Sequence, residues 1–410
     1  MSNQSTKNND MNDDGMLNAE TQRKLPQGKI LQPKLRFKGF TDPWQQRKLG
    51  ELAEFSKGAG FSKSDLCEHG RGIILYGQMY TNYQLVIDCI STHVPMNSHG
   101  VESRRNDIIV PASGETPEDI ATASVVKLDG VLLGGDINVV RLHGNQTDAT
   151  FIALLLSHGS LHKTLASRAQ GKSIVHLHIS DIANLHVLKP GITEQSRIAE
   201  FFRVLDDLIA AAKKKADLLK LKKRYYLQAI FSQQLRFKGF TGSWQQRKLG
   251  DLLKFERPDR YIEPDGDYLS KGATPVLTAN KGFVLGYTNN PEGIYDKGPC
   301  VIFDDFTLDR KLVRCPFKVR SSAIKILTAN PSVDLYFMFE LLEFQKFPSL
   351  GHARHYISVV EPWRTPVPDD LEQTHIGEMF RVMDDLIVAV TRRIELLERQ
   401  KTAYLQCLFV

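Results

Sequence analysis

The chain has 410 residues, with 53 Lys and Arg against 47 Asp and Glu and a formal charge of +6. That length predicts two to three domains, and the absence of any run of 18 apolar residues excludes a membrane-spanning helix. The five cysteines, Cys67, Cys89, Cys300, Cys315 and Cys407, are scattered and never spaced Cys-x-x-Cys, which argues against a disulfide frame and a zinc site. With no basic-then-apolar leader at the N-terminus, a soluble protein of the reducing cytoplasm is expected.

Residues 1–30 are rich in Asn, Asp, Gln, Ser and Lys and read as a disordered tail. The chain then enters the first of two copied stretches. Leu35-Arg36-Phe37-Lys38-Gly39-Phe40-Thr41 and Trp44-Gln45-Gln46-Arg47-Lys48-Leu49-Gly50 return as Leu235 to Thr241 and Trp244 to Gly250. Between 35 and 55 only positions 42, 43, 51, 53 and 54 differ from their copies. A second copied pair follows, in which Glu194-Gln195, Phe202-Arg203-Val204, Asp206 to Ile209 and Tyr226-Leu227-Gln228 recur as Glu372-Gln373, Phe380-Arg381-Val382, Asp384 to Ile387 and Tyr404-Leu405-Gln406. The copies interleave, so the order is A-x-B-A-y-B. Segments x (about 56–190) and y (about 256–368) share almost no sequence. A kept frame with free inserts suits a protein that presents two recognition surfaces on one repeated scaffold.

Segment x contains short apolar runs bounded by Gly, Pro and Asp, such as Gly72 to Tyr76 and Asp107 to Pro111, the pattern of buried strands between turns. Helical stretches are expected only near its end, from Thr150 to Arg168. From Ile198 the apolar residues alternate spacings of four and three through Phe202, Leu205, Ile209, Ala212, Ala216, Leu219, Lys223, Tyr226 and Ile230. This is a coiled-coil seam. Segment y repeats the strand-rich pattern, with Pro299 to Phe303 as a strand and Val333 to Phe347 as a helix, and Ile376 to Leu408 repeats the seam. Both seams carry a lysine at the same place, Lys223 and Lys401. Such a charge either fixes register or pairing partner, or packs its stem while its amine reaches water. Pro190 with Thr193, and Pro368 with the Asp370-x-x-Gln373 capping pattern, mark the starts. Each helix should run about 38 residues, or roughly 57 Å. The simplest partner for each is its own copy, antiparallel.

The order of the copies, the Leu-Arg-Phe-x-Gly-Phe segment with Trp44 and Leu49-Gly50, and the Glu-Gln-x-x-Ile helix ending in Tyr-Leu-Gln-x-x-Phe resemble the specificity subunit of type I restriction-modification systems. Tyr76-Gly77-Gln78-Met79-Tyr80-Thr81, Ser113-Gly114-Glu115-Thr116 and Gly134 to Asn138 are similar to one class of that family's target-recognition domains, and Asp304-Asp305-Phe306-Thr307 to another. The resemblance covers residues 31–410. It implies an α+β chain of two α/β target-recognition domains in tandem (31–190 and 234–368). Each is followed by a long spacer helix (191–233 and 369–410), and the helices pair as an antiparallel coiled coil with pseudo-twofold symmetry. It also implies a subunit without catalysis that binds a bipartite, asymmetric double-stranded DNA target. Two methyltransferase subunits and nuclease-translocase subunits are the implied partners, and they would carry the S-adenosylmethionine, ATP and Mg.

The residues agree in lacking catalytic motifs. Asp42-Pro43-Trp44 is a poor adenine-gripping loop, because its copy is Gly242-Ser243-Trp244, and Gly58 to Ser64 lacks the Gly before Lys of a phosphate loop. What remains is recognition chemistry: Arg and Lys for guanine and phosphate, Asn and Gln for adenine, Glu for cytosine. In x the candidates are Tyr76, Gln78, Tyr80, Ser113, Glu115, Thr116, Lys172, His176 and His178. In y they are Asn280, Lys281, Thr307, Arg310, Lys311, Arg314, His352, Arg354 and Tyr356, of which the last three share one face if that stretch is extended. Aligning the copies sets Arg354 opposite His176 and Tyr356 opposite His178. Arg354 is the favoured contact, since its fork can grip phosphate or guanine. Off-seam apolar residues, Phe201, Leu208, Leu218, Leu386 and Leu396 with Leu221, Leu227, Phe231, Leu405 and Phe409, are expected to receive protein partners. A coiled-coil scaffold that touches no DNA is the alternative. It leaves the Arg, Lys and Asn loops unexplained.

Overall fold

The computed structural model describes residues 33–409 except Lys172, Asp265, Asp267, Lys281, Ser349, Leu350 and His352. The expected tail at 1–30, and the candidates Lys172, Lys281 and His352, therefore lie outside the described residues. The chain divides into two compact units, one of residues up to Asp206 with those from Arg399 onward, the other Asp207–Glu398.

In the first unit the main sheet is built from β1 (Ala53–Lys57), β2 (Val86–Ile87), β3 (Asp107–Pro111), β4 (Ser124–Val126) and β5 (Ile137–Leu142) in the order β1-β5-β3-β4-β2. The central strand β3 is buried along its whole length, and its side chains alternate between two cores. Ile108 and Val110 face a core closed by α1 (Ala149–Ser157), while Ile109 faces a second core with Ile74 and Leu133. Asp148 starts α1 by accepting from the amides of Thr150 and Phe151 at 2.9 and 3.0 Å. The unit's share of α2 (Ile192–Phe231) buries Ile198 and Phe202 in the first of these cores.

The second unit repeats the plan. Strands β6 (Leu253–Glu256), β7 (Cys300–Asp304), β8 (Arg310–Val313) and β9 (Ile324–Ala329) run in the order β6-β9-β7-β8, with β7 the buried centre. Val301 and Phe303 face a core closed by α3 (Leu335–Phe344), and Cys300 and Ile302 face the opposite core. Ile376 and Phe380 of α4 (Asp370–Leu408) pack into the α3 side. Asp369, rather than Asp370, caps α4, accepting from the amide of Glu372 at 2.9 Å. Gln373 instead holds the loop carbonyl of Pro368 at 3.0 Å.

The copied stretches explain themselves as clamps. Arg36 grips Glu194 through two bonds of 2.9 and 2.6 Å, and Arg236 grips Glu372 through two of 2.9 and 2.6 Å. Both carboxylates are almost fully buried, so the forked partner is obligatory. The Leu35 amide donates to the Cys407 carbonyl at 3.0 Å, and its copy Leu235 donates to Ala229, the copy of Cys407, also at 3.0 Å. Each Leu-Arg-Phe segment thus closes the end of a long helix.

Many seam residues are buried, Ile198, Phe202, Leu205, Ile209, Ala216 and Ile230 on α2 and Ile376, Phe380 and Leu408 on α4, and others such as Ala212, Leu219 and Met383 are half-buried. In the first unit Lys401 pairs with Asp206 at 2.6 Å. In the second unit Lys213 pairs with Glu398 at 2.7 Å and Lys223 with Asp384 at 2.8 Å. Residue numbers rise along one helix as they fall along the other, so the helices pair antiparallel. The seam lysines are ion-paired rather than snorkelling. Lys223 also meets Glu340 of α3, at 2.7 Å, whose carboxylate is fully buried.

Candidate nucleic-acid interface

In both units the loop after the central strand is pinned by the segment that leads toward the long helix. In the first, the Leu177 amide donates to the Ala112 carbonyl at 2.9 Å; in the second, the His355 amide donates to the Asp305 carbonyl at 2.8 Å. Ala112 follows Pro111 of β3 by one residue, as Asp305 follows Asp304 of β7. The next loop residues, Ser113 and Phe306, are therefore equivalent, and so are His176 and Arg354.

The first unit joins these positions by a hydrogen bond, Ser113 Oγ to His176 Nδ1 at 2.9 Å. Ser113 is buried while His176 is exposed, so the imidazole is the presented group and the hydroxyl orients it. Tyr76 and Tyr80 stand nearby with ring centroids 6.4 Å apart. Burial first, then the neighbouring Tyr76, Glu115 and Asp119, hold the Tyr80 hydroxyl above its ordinary range, which keeps it a neutral donor. Two candidates have local duties as well. Gln78 accepts from the Leu75 amide at 3.2 Å, and Thr116 caps the short helix Pro117–Ile120 through the Asp119 amide at 3.1 Å. Glu115 and His178 are exposed.

The second unit joins its equivalent pair by stacking: the Arg354 guanidinium lies 5.5 Å from the Phe306 ring centroid. The loop is rigid. Asp304 accepts from the amides of Phe306 and Thr307, both at 2.9 Å, and Leu308 adopts a left-handed φ of 64° to complete the turn. Thr307 Oγ1 lies 3.0 Å from Asn280 Oδ1, bringing these two candidates together. A hollow of about 720 Å³ opens beside them, lined by Asn280, Phe306, Thr307, Asp309 and Arg320. Beneath it, buried Asp305 accepts from the Tyr356 amide at 2.7 Å and pairs with buried Lys325 on β9 at 3.0 Å.

Several expectations are corrected. Tyr356 is fully buried against Phe255 and Phe303, at ring-centroid distances of 5.1 and 5.7 Å, so its ring is core and cannot face a duplex. The shared face of Arg354 and Tyr356 depended on an extended stretch; Tyr356–Val360 is instead a π-helical turn, with Tyr356 buried and Arg354 exposed. Arg310 is tied to Glu343 at 2.8 Å, and Arg314 stacks on Tyr336 at 4.9 Å and pairs with Asp385 at 2.9 Å. Both are engaged with the protein's own helices, whereas Lys311 between them is exposed. Phe201 packs on Phe37, Phe202 and Tyr404 at 5.6, 5.2 and 5.0 Å, which removes it from the expected partner face. Phe231 and Phe409 are buried, and Leu227 and Leu405 pack on the cores. Leu208, Leu218, Leu221, Leu386 and Leu396 do remain exposed, as does Tyr225.

Sequence reading passed over Phe306, because a lone phenylalanine after a strand gives no signal of exposure. It also passed over the Lys325–Asp305 pair, since Lys325 sits in an otherwise apolar strand. Among the described residues, no group of three or more His, Cys, Asp and Glu could hold a metal, and no helix is long and apolar enough to cross a membrane.

Comparison with known proteins adds similarities. Residues 41–221 match the family model described as the type I restriction modification DNA specificity domain. The specificity subunit of the Escherichia coli type I restriction enzyme EcoR124I/EcoR124II is 35% identical over 38% of this chain, an alignment that spans 42% of that subunit's length. A putative type I restriction enzyme MjaX specificity subunit of Methanocaldococcus jannaschii is 24% identical over 67% of this chain and 70% of its own. Among solved structures, the S subunit of a type I restriction-modification system from M. genitalium shares the fold with a TM-score of 0.67 at 16% identity, covering 93% of this chain and 99% of that one.

Proposed function

We propose that this chain is a specificity subunit of a type I restriction-modification system, on the match of residues 41–221 and its likeness to such subunits, and that it reads a bipartite, asymmetric DNA target. One half-site falls to the domain within 31–190, the other to that within 234–368. The observation that carries this reading is the pair of equivalent loop positions filled by different chemistry, Ser113 with His176 in one domain and Phe306 with Arg354 in the other. A frame that holds two such positions alike while changing their side chains suits two unlike half-sites, because base edges are distinguished by donor, acceptor and apolar groups. A symmetric reader would carry the same groups twice and favour a palindrome.

The subunit is not itself the catalyst. Its role is to position two methyltransferase subunits, which carry the S-adenosylmethionine, and nuclease-translocase subunits, which carry the ATP and Mg. The exposed leucines Leu208, Leu218, Leu386 and Leu396 support docking of protein partners along the helices. Cytoplasmic action on double-stranded DNA follows from the same reading.

The test is methylation mapping. The chain, co-purified with its methyltransferase, is offered a random duplex library with labelled methyl donor. Two different short motifs at a fixed spacing are expected; one continuous motif, or none, rejects the proposal. Affinity should also fall steeply with salt, as phosphate contacts require, whereas a scaffold that touches no DNA would show no duplex affinity to lose.

A further inference from the structure

We propose that Phe306, backed by Arg354, is a stacking wedge that receives an unstacked base of the half-site read by the second domain. This rests on the DNA-reading role above and specifies how one half of the target is gripped.

Phe306 is 39% exposed and its neighbours in sequence are polar; exposure alone is ordinary for an apolar side chain, and what sets this ring apart is how it is held. It is not loose. Asp304 binds its amide, and the Asp305 carbonyl that precedes it is held by His355. Asp305 itself is anchored by Lys325 and by the Tyr356 amide. The ring is thus set on a rigid loop above a buried ion pair, and a preset ring loses little freedom when a ligand stacks on it. Arg354 lies against the ring at 5.5 Å with its side chain 52% exposed, so one cation and one π-face are offered together. Single bases stack on aromatic rings and on guanidinium planes, and minor-groove and architectural proteins use apolar wedges to open base steps.

The adjoining hollow gives the displaced base a place to go. Its rim supplies Asn280, whose Oδ1 is held by Thr307 at 3.0 Å while Thr307 is itself tied to Asp309 at 2.9 Å, so the Asn280 amide Nδ2 is the donor presented to a base edge. The equivalent positions of the first domain, buried Ser113 and exposed His176, contain no such ring and serve as an internal control. The hollow mixes apolar Leu285 and Ala323 with polar Asn280, Thr307 and Asp309, and Arg354 lies on the ring itself, a combination that suits the flat apolar faces and polar edge of a base.

The experiment uses the full chain in complex with its methyltransferase, on duplexes carrying the mapped target. Fluorescent base analogues, whose emission rises on unstacking, are placed in turn along each half-site. Any base turned out by the methyltransferase brightens both halves and is unaffected by the ring. Phe306→Ala is expected to abolish an additional signal in the second half-site and to weaken binding roughly tenfold, leaving the first half-site unchanged. Phe306→Trp should retain both signal and affinity. An unchanged emission pattern in Phe306→Ala overturns the wedge, even if affinity falls, and so does a loss shared equally by both half-sites. If the unaltered complex binds no duplex, the DNA-reading role fails first, and that result is distinct from a complex that binds and methylates normally without the ring.

Discussion

The loop after the central strand is held to the helix-leading segment in both domains, yet the group beneath that junction differs. In the first domain the neutral Asn138 of β5 donates its Nδ2 to the Leu177 carbonyl at 3.0 Å. In the second, the equivalent residue of β9 is Lys325, whose amine pairs with Asp305. An amide and an ion pair therefore do the same positioning, at different risk. A buried amide that loses its bond costs about one hydrogen bond, while a buried carboxylate that loses its cation is left uncompensated. The frame tolerates either solution because it fixes backbone, not side chains.

Breaking this difference gives the largest expected effect. Lys325→Met should destabilise the second unit by about 2–4 kcal/mol, since Asp305 would stay buried with only the longer pairing to the half-exposed Arg354, at 3.7 Å, to offset its charge. Asn138→Ala should cost the first unit only about 1 kcal/mol. Denaturant unfolding of the two variants checks the ranking, and adding Asp305→Asn to Lys325→Met should recover most of the loss. Equal costs at the two sites would show that the ion pair matters no more than the amide.

A second contrast lies where each seam lysine meets its domain, and it is expected to respond to pH. Beside Lys223, burial pushes the Glu340 carboxyl up from 4.5 to about 7. Between those values the folded state holds a proton that the unfolded state has released, so stability contributed by Glu340 falls as pH rises through this window. Beside Lys401, burial and then the lysine itself push His158 down from 6.5 to about 4. Here the unfolded state holds the extra proton, so stability rises with pH from about 4 to 6.5. The two units should show opposite slopes when unfolding is followed with a probe in each. Glu340→Gln should flatten one and His158→Gln the other; slopes of the same sign would contradict the assignment.

The smallest effect is expected on the outer helix faces, where the copies agree. Leu218→Ser and Leu396→Ser should each change stability by less than about 0.5 kcal/mol, because both side chains are exposed. Each should nonetheless weaken co-purification of a methyltransferase subunit. A large loss of stability would mean these leucines pack within the chain, as Phe201 proved to do.

How much of this was legible varies with the kind of signal. The long helices were visible because a seam of ten positions in each copy repeats one spacing, and Ile198, Phe202 and Ile376, Phe380 are buried as that spacing requires. The strands Asp107–Pro111 and Cys300–Asp304 were visible because short apolar runs between Asp, Gly and Pro have few other uses. The interface was only partly legible. Asn280, Thr307 and Arg354 do gather at one place, and His176 and Arg354 are equivalent as the aligned copies suggested. Residue type alone did not separate Arg354, which lies on Phe306 beside the hollow, from Arg310 and Arg314, which are engaged by Glu343 and Asp385 on the helices.

By itself, then, the sequence determined the interleaved frame, the paired helices and the strand-rich inserts, because periodicity and duplication are properties of order along the chain. It also carried the identity of the candidate polar groups. Only the tertiary structure decided which of those groups face outward. Tyr356 turned into the core when its segment closed into a π-helical turn, Phe306 was left out by a tight turn through Leu308, and Lys325 found Asp305 across neighbouring strands. Exposure and pairing depend on contacts between residues far apart in sequence, and local pattern does not encode them.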